Sequence, residues 1–118
     1  MKKEFVPYEL AVKLKALGFD EPCVAIFGRN NELSVDDGFY KQENYHKDTI
    51  LAPTFSQAFR WFRERYALCI VIKPIDHKKL EFGYNLTKNG LIMGAYATYE
   101  KAELACLEKL IELTFKSE

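Results

Sequence analysis

The sequence has few of the residues that reactive sites in proteins use most often. Its two histidines, His46 and His77, lie 31 residues apart, and its three cysteines do not form the closely spaced pairs that a zinc site requires. The six glycines are scattered singly, so no glycine-rich loop is present to cradle a phosphate. We therefore expect no metal site, no nucleotide site and no cofactor.

Net charge and long apolar runs are lacking as well. Seventeen basic and seventeen acidic residues cancel, so no overall field draws the chain toward nucleic acid or an anionic membrane. The sequence has no run of about eighteen apolar residues, and the segment after Met1 does not look like a secretion signal. Cys23, Cys69 and Cys106 each lie among apolar residues, as buried thiols do. These features predict a cytoplasmic protein with no membrane partner.

Apolar side chains, in contrast, are plentiful. Hydrophobic residues make up 48% of the 118 residues and aromatic residues 14%, which is enough for one packed core. The length suits one domain, and we predict a single domain over residues 1–118.

Three segments have the periodicity of amphipathic helices. In the first, Leu10, Leu14 and Leu17 recur at helical spacing between Pro7 and Gly18, and a glycine after the last periodic residue closes a helix at low cost. The second begins at Thr54, whose side chain is predicted to cap the backbone of Gln57 while the Gln57 side chain reaches back. Its core-facing stripe is Phe55, Ala58, Phe59, Phe62 and Tyr66.

The third helix is predicted to begin after Thr98 and to run to about Phe115. One apolar stripe runs along it, and Leu104, Leu107 and Ile111 widen that stripe beyond the usual arc of a surface helix. We expect this helix to pack against more than one neighbour, or against another chain.

Two groups of strands are predicted. Cys23–Phe27 and residues 33–35 flank a turn-forming segment and suggest a hairpin, which is followed by a long loop over residues 36–48. Residues 68–72 resemble a central strand. Residues 80–85 and 92–97 form two further strands, joined by a tight turn at Asn89-Gly90. The predicted fold class is α+β: an antiparallel sheet, consisting of a three-stranded meander plus an N-terminal hairpin, packed against helices.

The order helix, three strands, helix over residues 54–118 resembles the double-stranded RNA-binding domain. In that family the final helix begins with a lysine cluster that binds the backbone phosphates of the RNA. Here Lys101 is flanked by Glu100 and Glu103, which would repel a phosphate backbone. If this half binds nucleic acid, the contacts predicted are Arg63, Lys78, Lys79, Lys88 and Lys101.

Nearly the whole chain also resembles a family of small bacterial and phage-encoded proteins that has no established activity. The resemblance therefore implies no function. The segments that carry it are residues 5–9, 17–22, 52–63 and 102–107.

Trp61 is the residue that suggests an interaction. Projected on a helix, it lies off the aromatic stripe and beside Arg60 and Arg65, so that a partly exposed tryptophan is predicted. The alternative is that Trp61 packs under the loop of residues 36–48. The predicted interaction residues are Trp61, Arg60, Arg65, Leu104, Leu107 and Ile111.

These patterns lead to two hypotheses. The first is a non-enzymatic module that self-associates or binds another protein. The second is a nucleic-acid-binding protein that uses its C-terminal half. We do not expect an enzyme, because adjacent carboxylates such as Asp36-Asp37 and Asp20-Glu21 fit solvated loops better than an acid–base pair.

Overall fold

A computed structural model describes residues 4–45, 48–76, 78, 80–86 and 92–117. Within these residues the chain forms three helices and six strands, and its contacts divide it into two units, Met1–Gln57 and Ala58–Glu118. The prediction of a single domain stays a prediction. The elements in chain order are α1 (Tyr8–Ala16), β1 (Cys23–Phe27), β2 (Leu33–Tyr40), β3 (Ile50–Leu51), α2 (Phe55–Tyr66), β4 (Ile70–Asp76), β5 (Glu81–Leu86), β6 (Ile92–Tyr96) and α3 (Tyr99–Ser117).

The first unit contains α1 and an antiparallel sheet of order β2-β1-β3. The predicted N-terminal hairpin is therefore confirmed. A small core of Phe5, Ala25 and Ala52 lies in this unit, and Phe27 and Leu33 pack against it. α1 contacts the short strand β3.

Gly18 ends α1 as the sequence predicts. Its φ is 102°, and it lets the backbone of Phe19 donate to the carbonyl of Leu14 at 3.0 Å while its own N–H donates to Lys15 at 3.0 Å. Leu14 and Phe19 are both buried, and these are the two positions that are commonly apolar at this type of helix end. Pro7 stands just before the helix rather than in its first turn.

The predicted loop over residues 36–48 is wrong in its first part. Residues 36–40 belong to β2, and Gln42–Asn44 form a turn of 3₁₀ helix, whereas residues 46–47 lie outside the described residues. The pairing of β2 with β1 shifts register between Cys23 and Ala25. A strand with such an irregularity loses the two-residue alternation by which strands are recognised in a sequence.

The second unit contains the antiparallel meander β4-β5-β6, and α3 contacts all three of its strands. The meander is confirmed, although the Asn89-Gly90 turn lies outside the described residues. The predicted central strand is wrong, because β4 lies at the edge of the sheet and β5 lies in the middle. Pro74, which has no N–H to donate, fits an edge strand.

Threonine side chains cap the two longer helices. The backbone of Gln57 donates to Thr54 Oγ1 at 3.1 Å, and that of Lys101 donates to Thr98 Oγ1 at 3.1 Å. The predicted return bond from the Thr54 N–H to the Gln57 side chain is wrong for the described residues, and the side chain instead donates through Nε2 to the carbonyl of Pro22 at 2.9 Å. None of the helices in the described part of the chain is long and apolar enough to cross a membrane.

Candidate interaction surface

Trp61 is buried, with 4% of its surface exposed, so its predicted exposure is wrong. Its ring meets the rings of Phe62 and Tyr66 edge-on, at centroid distances of 5.0 and 5.5 Å. One feature of the sequence indicates that Trp61 is buried. Ala58 lies three residues before Trp61 and is fully buried, which shows that the core-facing side of α2 extends beyond the aromatic stripe toward Trp61.

The Arg65 side chain lies over the Trp61 ring, so the two residues do not form an exposed pair for a partner. Its guanidinium carbon lies 5.7 Å from the centre of the Trp61 ring and 6.0 Å from that of Tyr66. Such cation–π contacts stabilise a fold by about 0.5–1 kcal/mol at exposed sites. Arg60 is exposed on the same helix.

The wide apolar side of α3 is also buried. Leu107 and Ile111 are 0% and 2% exposed, and Leu104 is half-buried. This outcome matches the first alternative drawn from the sequence, a helix that packs against more than one neighbour. Leu107 and Ile111 are therefore not available to another chain, and the large apolar side chains exposed on α3 are Tyr99 and Phe115, near its two ends.

The residues predicted to contact nucleic acid stay a prediction. Arg63, Lys78 and Lys101 are exposed, whereas Lys79 and Lys88 lie outside the described residues. At the start of α3, burial and the neighbouring Glu100 raise the pKa of the Glu103 carboxyl. Two acidic side chains thus accompany Lys101 where the RNA-binding family has lysines.

Two of the three thiols are buried and protonated. Burial, with a smaller contribution from Glu21, raises the pKa of Cys23 to about 12, and burial with Glu103 does the same for Cys106. A thiol in this state is a poor nucleophile. In the part of the chain that the structure describes, no three histidine, cysteine or acidic side chains lie close enough together to hold a metal ion.

The sheet β4-β5-β6 has two faces of different character. Tyr84 and Leu86 are buried on the face toward α3. Because side chains alternate along a strand, Val71 and its partner Asn85 lie on the other face, and so do Lys73 and its partner Gly83. We call this second face the open face. Val71 is 52% exposed there and Lys73 is exposed beside it on β4, whereas Gly83 and the Oδ1 atom of Asn85 on β5 are buried.

Further aliphatic side chains are exposed at the end of the sheet where β4 leads to β5. Ile75 lies where the pairing shifts between Pro74 and Asp76, and it is 38% exposed. Leu80 is 62% exposed and has a φ of 53°. This surface was not predicted, because the apolar run that contains Val71 indicates a strand in the centre of a sheet, where both faces are covered.

The first unit contains a cleft with a volume of about 580 Å³. We call it the 41–45 cleft. On one side it is bounded by the 3₁₀ turn and Tyr45, whose ring lies 5.6 Å from that of Tyr40. Its lining residues are Asp20, Pro22, Lys41, Gln42, Glu43 and Tyr45.

Comparisons of the chain with protein-family models, with curated proteins and with solved structures gave no match. The two resemblances described above therefore depend on the residues quoted for them.

Proposed function

We propose that the chain is a non-enzymatic interaction module that self-associates through the open face of β4-β5-β6. The observation that carries the proposal is the exposure of Val71, a large aliphatic side chain in the regular part of a strand. Ile75 and Leu80 are further aliphatic side chains exposed at one end of the sheet. Exposed apolar side chains of this kind favour association with another surface.

Charge favours a second copy of the chain as the partner. Among the side chains of β4 and β5 that the structure describes on the open face, Lys73 is a cation and Glu81, on the same side of β5 as Gly83, is an anion. In a two-fold dimer each surface meets itself, so Lys73 of one copy can oppose Glu81 of the other. The net charge of zero also removes long-range repulsion between copies.

The size of the face predicts weak association. Three strands of about six residues cover roughly 15 Å by 20 Å, or ~300 Å². Stable complexes bury about 800 Å² per partner, so we expect a dimer with a dissociation constant on the order of 100 µM to 1 mM. Association of this strength depends on protein concentration and is reversible.

The state of the thiols supports a non-enzymatic role. Cys23 and Cys106 are both buried and have raised pKa values, so neither is poised to attack a substrate. Because all three cysteines are free, we also propose that the protein works in a reducing compartment such as the cytoplasm.

Sedimentation velocity from about 10 µM to about 1 mM tests the proposal over the expected range. The native chain should sediment faster as its concentration rises, and Val71→Glu should abolish this dependence. Val12→Glu is the matched control, because Val12 is 37% exposed on α1 and should associate like the native chain. A native chain that remains monomeric throughout, or equal effects of the two substitutions, would contradict the proposal.

The second candidate, nucleic-acid binding by the C-terminal half, is supported by the order α2, β4, β5, β6, α3. We place it second because Glu100 and Glu103 accompany Lys101 at the start of α3. Titration with duplex RNA and duplex DNA at two salt concentrations tests it, since phosphate contacts weaken steeply with salt. Salt-sensitive binding would support this function, and no binding at low salt would exclude it.

A further inference from the structure

We infer that the 41–45 cleft binds a zwitterion the size of an amino acid. Two acidic residues, Asp20 and Glu43, and one basic residue, Lys41, line the same cleft. A ligand with a single charge would be attracted by one set of these groups and repelled by the other. A free amino acid has an ammonium and a carboxylate group and can pair with both sets.

The opposite charges of the cleft do not neutralise each other directly. Among the described residues, Lys41 forms no ion pair with Asp20 or Glu43. All three residues are exposed, so their charged groups are accessible to a ligand from solvent. Water screens each of these interactions, so one exposed pair contributes little to the affinity.

The cleft also offers apolar surface for a ligand side chain. Tyr45 is 42% exposed, and its contact with Tyr40 supports the ring from one side. Pro22 adds a second apolar lining group. An aromatic amino acid can therefore place its charged groups near Lys41 and the carboxylates while its ring contacts Tyr45.

The dimensions agree with a ligand of this class. Small-molecule sites occupy about 300–1,000 Å³, and the cleft, at about 580 Å³, lies within that range. Because its charged groups are exposed, we expect a dissociation constant on the order of 1 mM. This inference does not depend on self-association, since every lining residue that the structure describes belongs to the first unit.

Two-dimensional NMR titration of the full-length chain with L-phenylalanine tests the inference. Amide signals of residues 41–45 should shift. Phenylalanine methyl ester, which lacks the carboxylate, and N-acetylphenylalanine, which lacks the ammonium group, should each bind at least about threefold more weakly. The absence of shifts up to about 20 mM, or equal affinity for all three compounds, would overturn the assignment.

Substitutions identify which side chain binds the carboxylate of the ligand and which binds its ammonium group. Lys41→Gln should weaken phenylalanine but not its methyl ester, because the ester has no carboxylate for Lys41 to bind. Glu43→Gln should weaken the ester as well, because the ester retains its ammonium group. Lys13→Gln, an exposed lysine on α1, is the matched control and should change neither affinity. Equal loss for both compounds with Lys41→Gln, or any loss with Lys13→Gln, would contradict the zwitterion site.

Discussion

The backbone N–H of Phe19 donates to the carbonyl of Leu14 at 3.0 Å, and the chain makes this bond by giving Gly18 a φ of 102°. A residue with a β-carbon is strained in that conformation. We therefore expect Gly18→Ala to lower the free energy of unfolding by about 1 kcal/mol, measured by urea denaturation.

Gly28→Ala is the control for this prediction. Its φ is not positive, and a β-carbon there would lie 3.9 Å from its nearest neighbour, the carbonyl of Glu32. Its denaturation midpoint should therefore stay close to that of the native chain. If both substitutions had the same effect, the strain at Gly18 would not be the cause.

The cap of α3 should make a measurable contribution to stability. Thr98→Ala removes the acceptor of the Lys101 N–H and should cost about 1 kcal/mol, whereas Thr98→Ser keeps a hydroxyl and should retain most of the stability. Urea denaturation of the two variants separates the hydrogen bond from the lost methyl group. An equal loss in both would assign the effect to packing instead.

The three thiols should differ in reactivity. Cys23 and Cys106 are fully buried and their raised pKa values keep them protonated at pH 8, whereas Cys69 is half-buried. A thiol-specific reagent such as Ellman's should therefore modify Cys69 first in the native chain and all three cysteines in denaturant. Fast labelling of Cys106 in the native chain would show that α3 opens readily.

The same pKa values predict a loss of stability in alkaline solution. A thiol whose pKa is 9.0 when unfolded and about 12 when folded keeps its proton only in the folded chain between these values. The contribution of this thiol to the free energy of unfolding is complete below pH 9. It falls as the pH rises toward 12, by at most about 1.4 kcal/mol per pH unit. Cys106→Ala should make the decline of unfolding free energy above pH 9 shallower. An unchanged slope would contradict the shift assigned to Cys106.

Local signals in the sequence predicted much of the fold. The ends of α1 and the starts of α2 and α3 follow from Gly18, Thr54 and Thr98, because a positive φ and a side-chain cap each involve only a few consecutive residues. The three-stranded meander was predicted for a similar reason, since its strands follow one another along the chain.

The features of the fold that were not predicted depend on contacts between residues that are far apart in the sequence. The edge position of β4 depends on which strands pair with it. The full length of β2 was not predicted, because its register with β1 is irregular. Consequently Trp61, predicted to be exposed, is buried, and Val71, predicted to be central, is exposed. The candidate surface is therefore not on α2 or α3 but on the face of the sheet opposite α3.

Reversing charge on the open face tests the central claim, self-association through Lys73 and Glu81, most directly. Lys73→Glu and Glu81→Lys each place two like charges on the face, so each variant alone should associate at least about tenfold more weakly than the native chain. Mixed in equal amounts, the two variants should associate with each other, because every cross-contact is again between opposite charges. Sedimentation velocity on the separate and mixed variants measures both the weaker association of each variant and the association of the mixture. Restored association in the mixture is the predicted result, and a mixture that stays monomeric, or single variants that associate like the native chain, would contradict it.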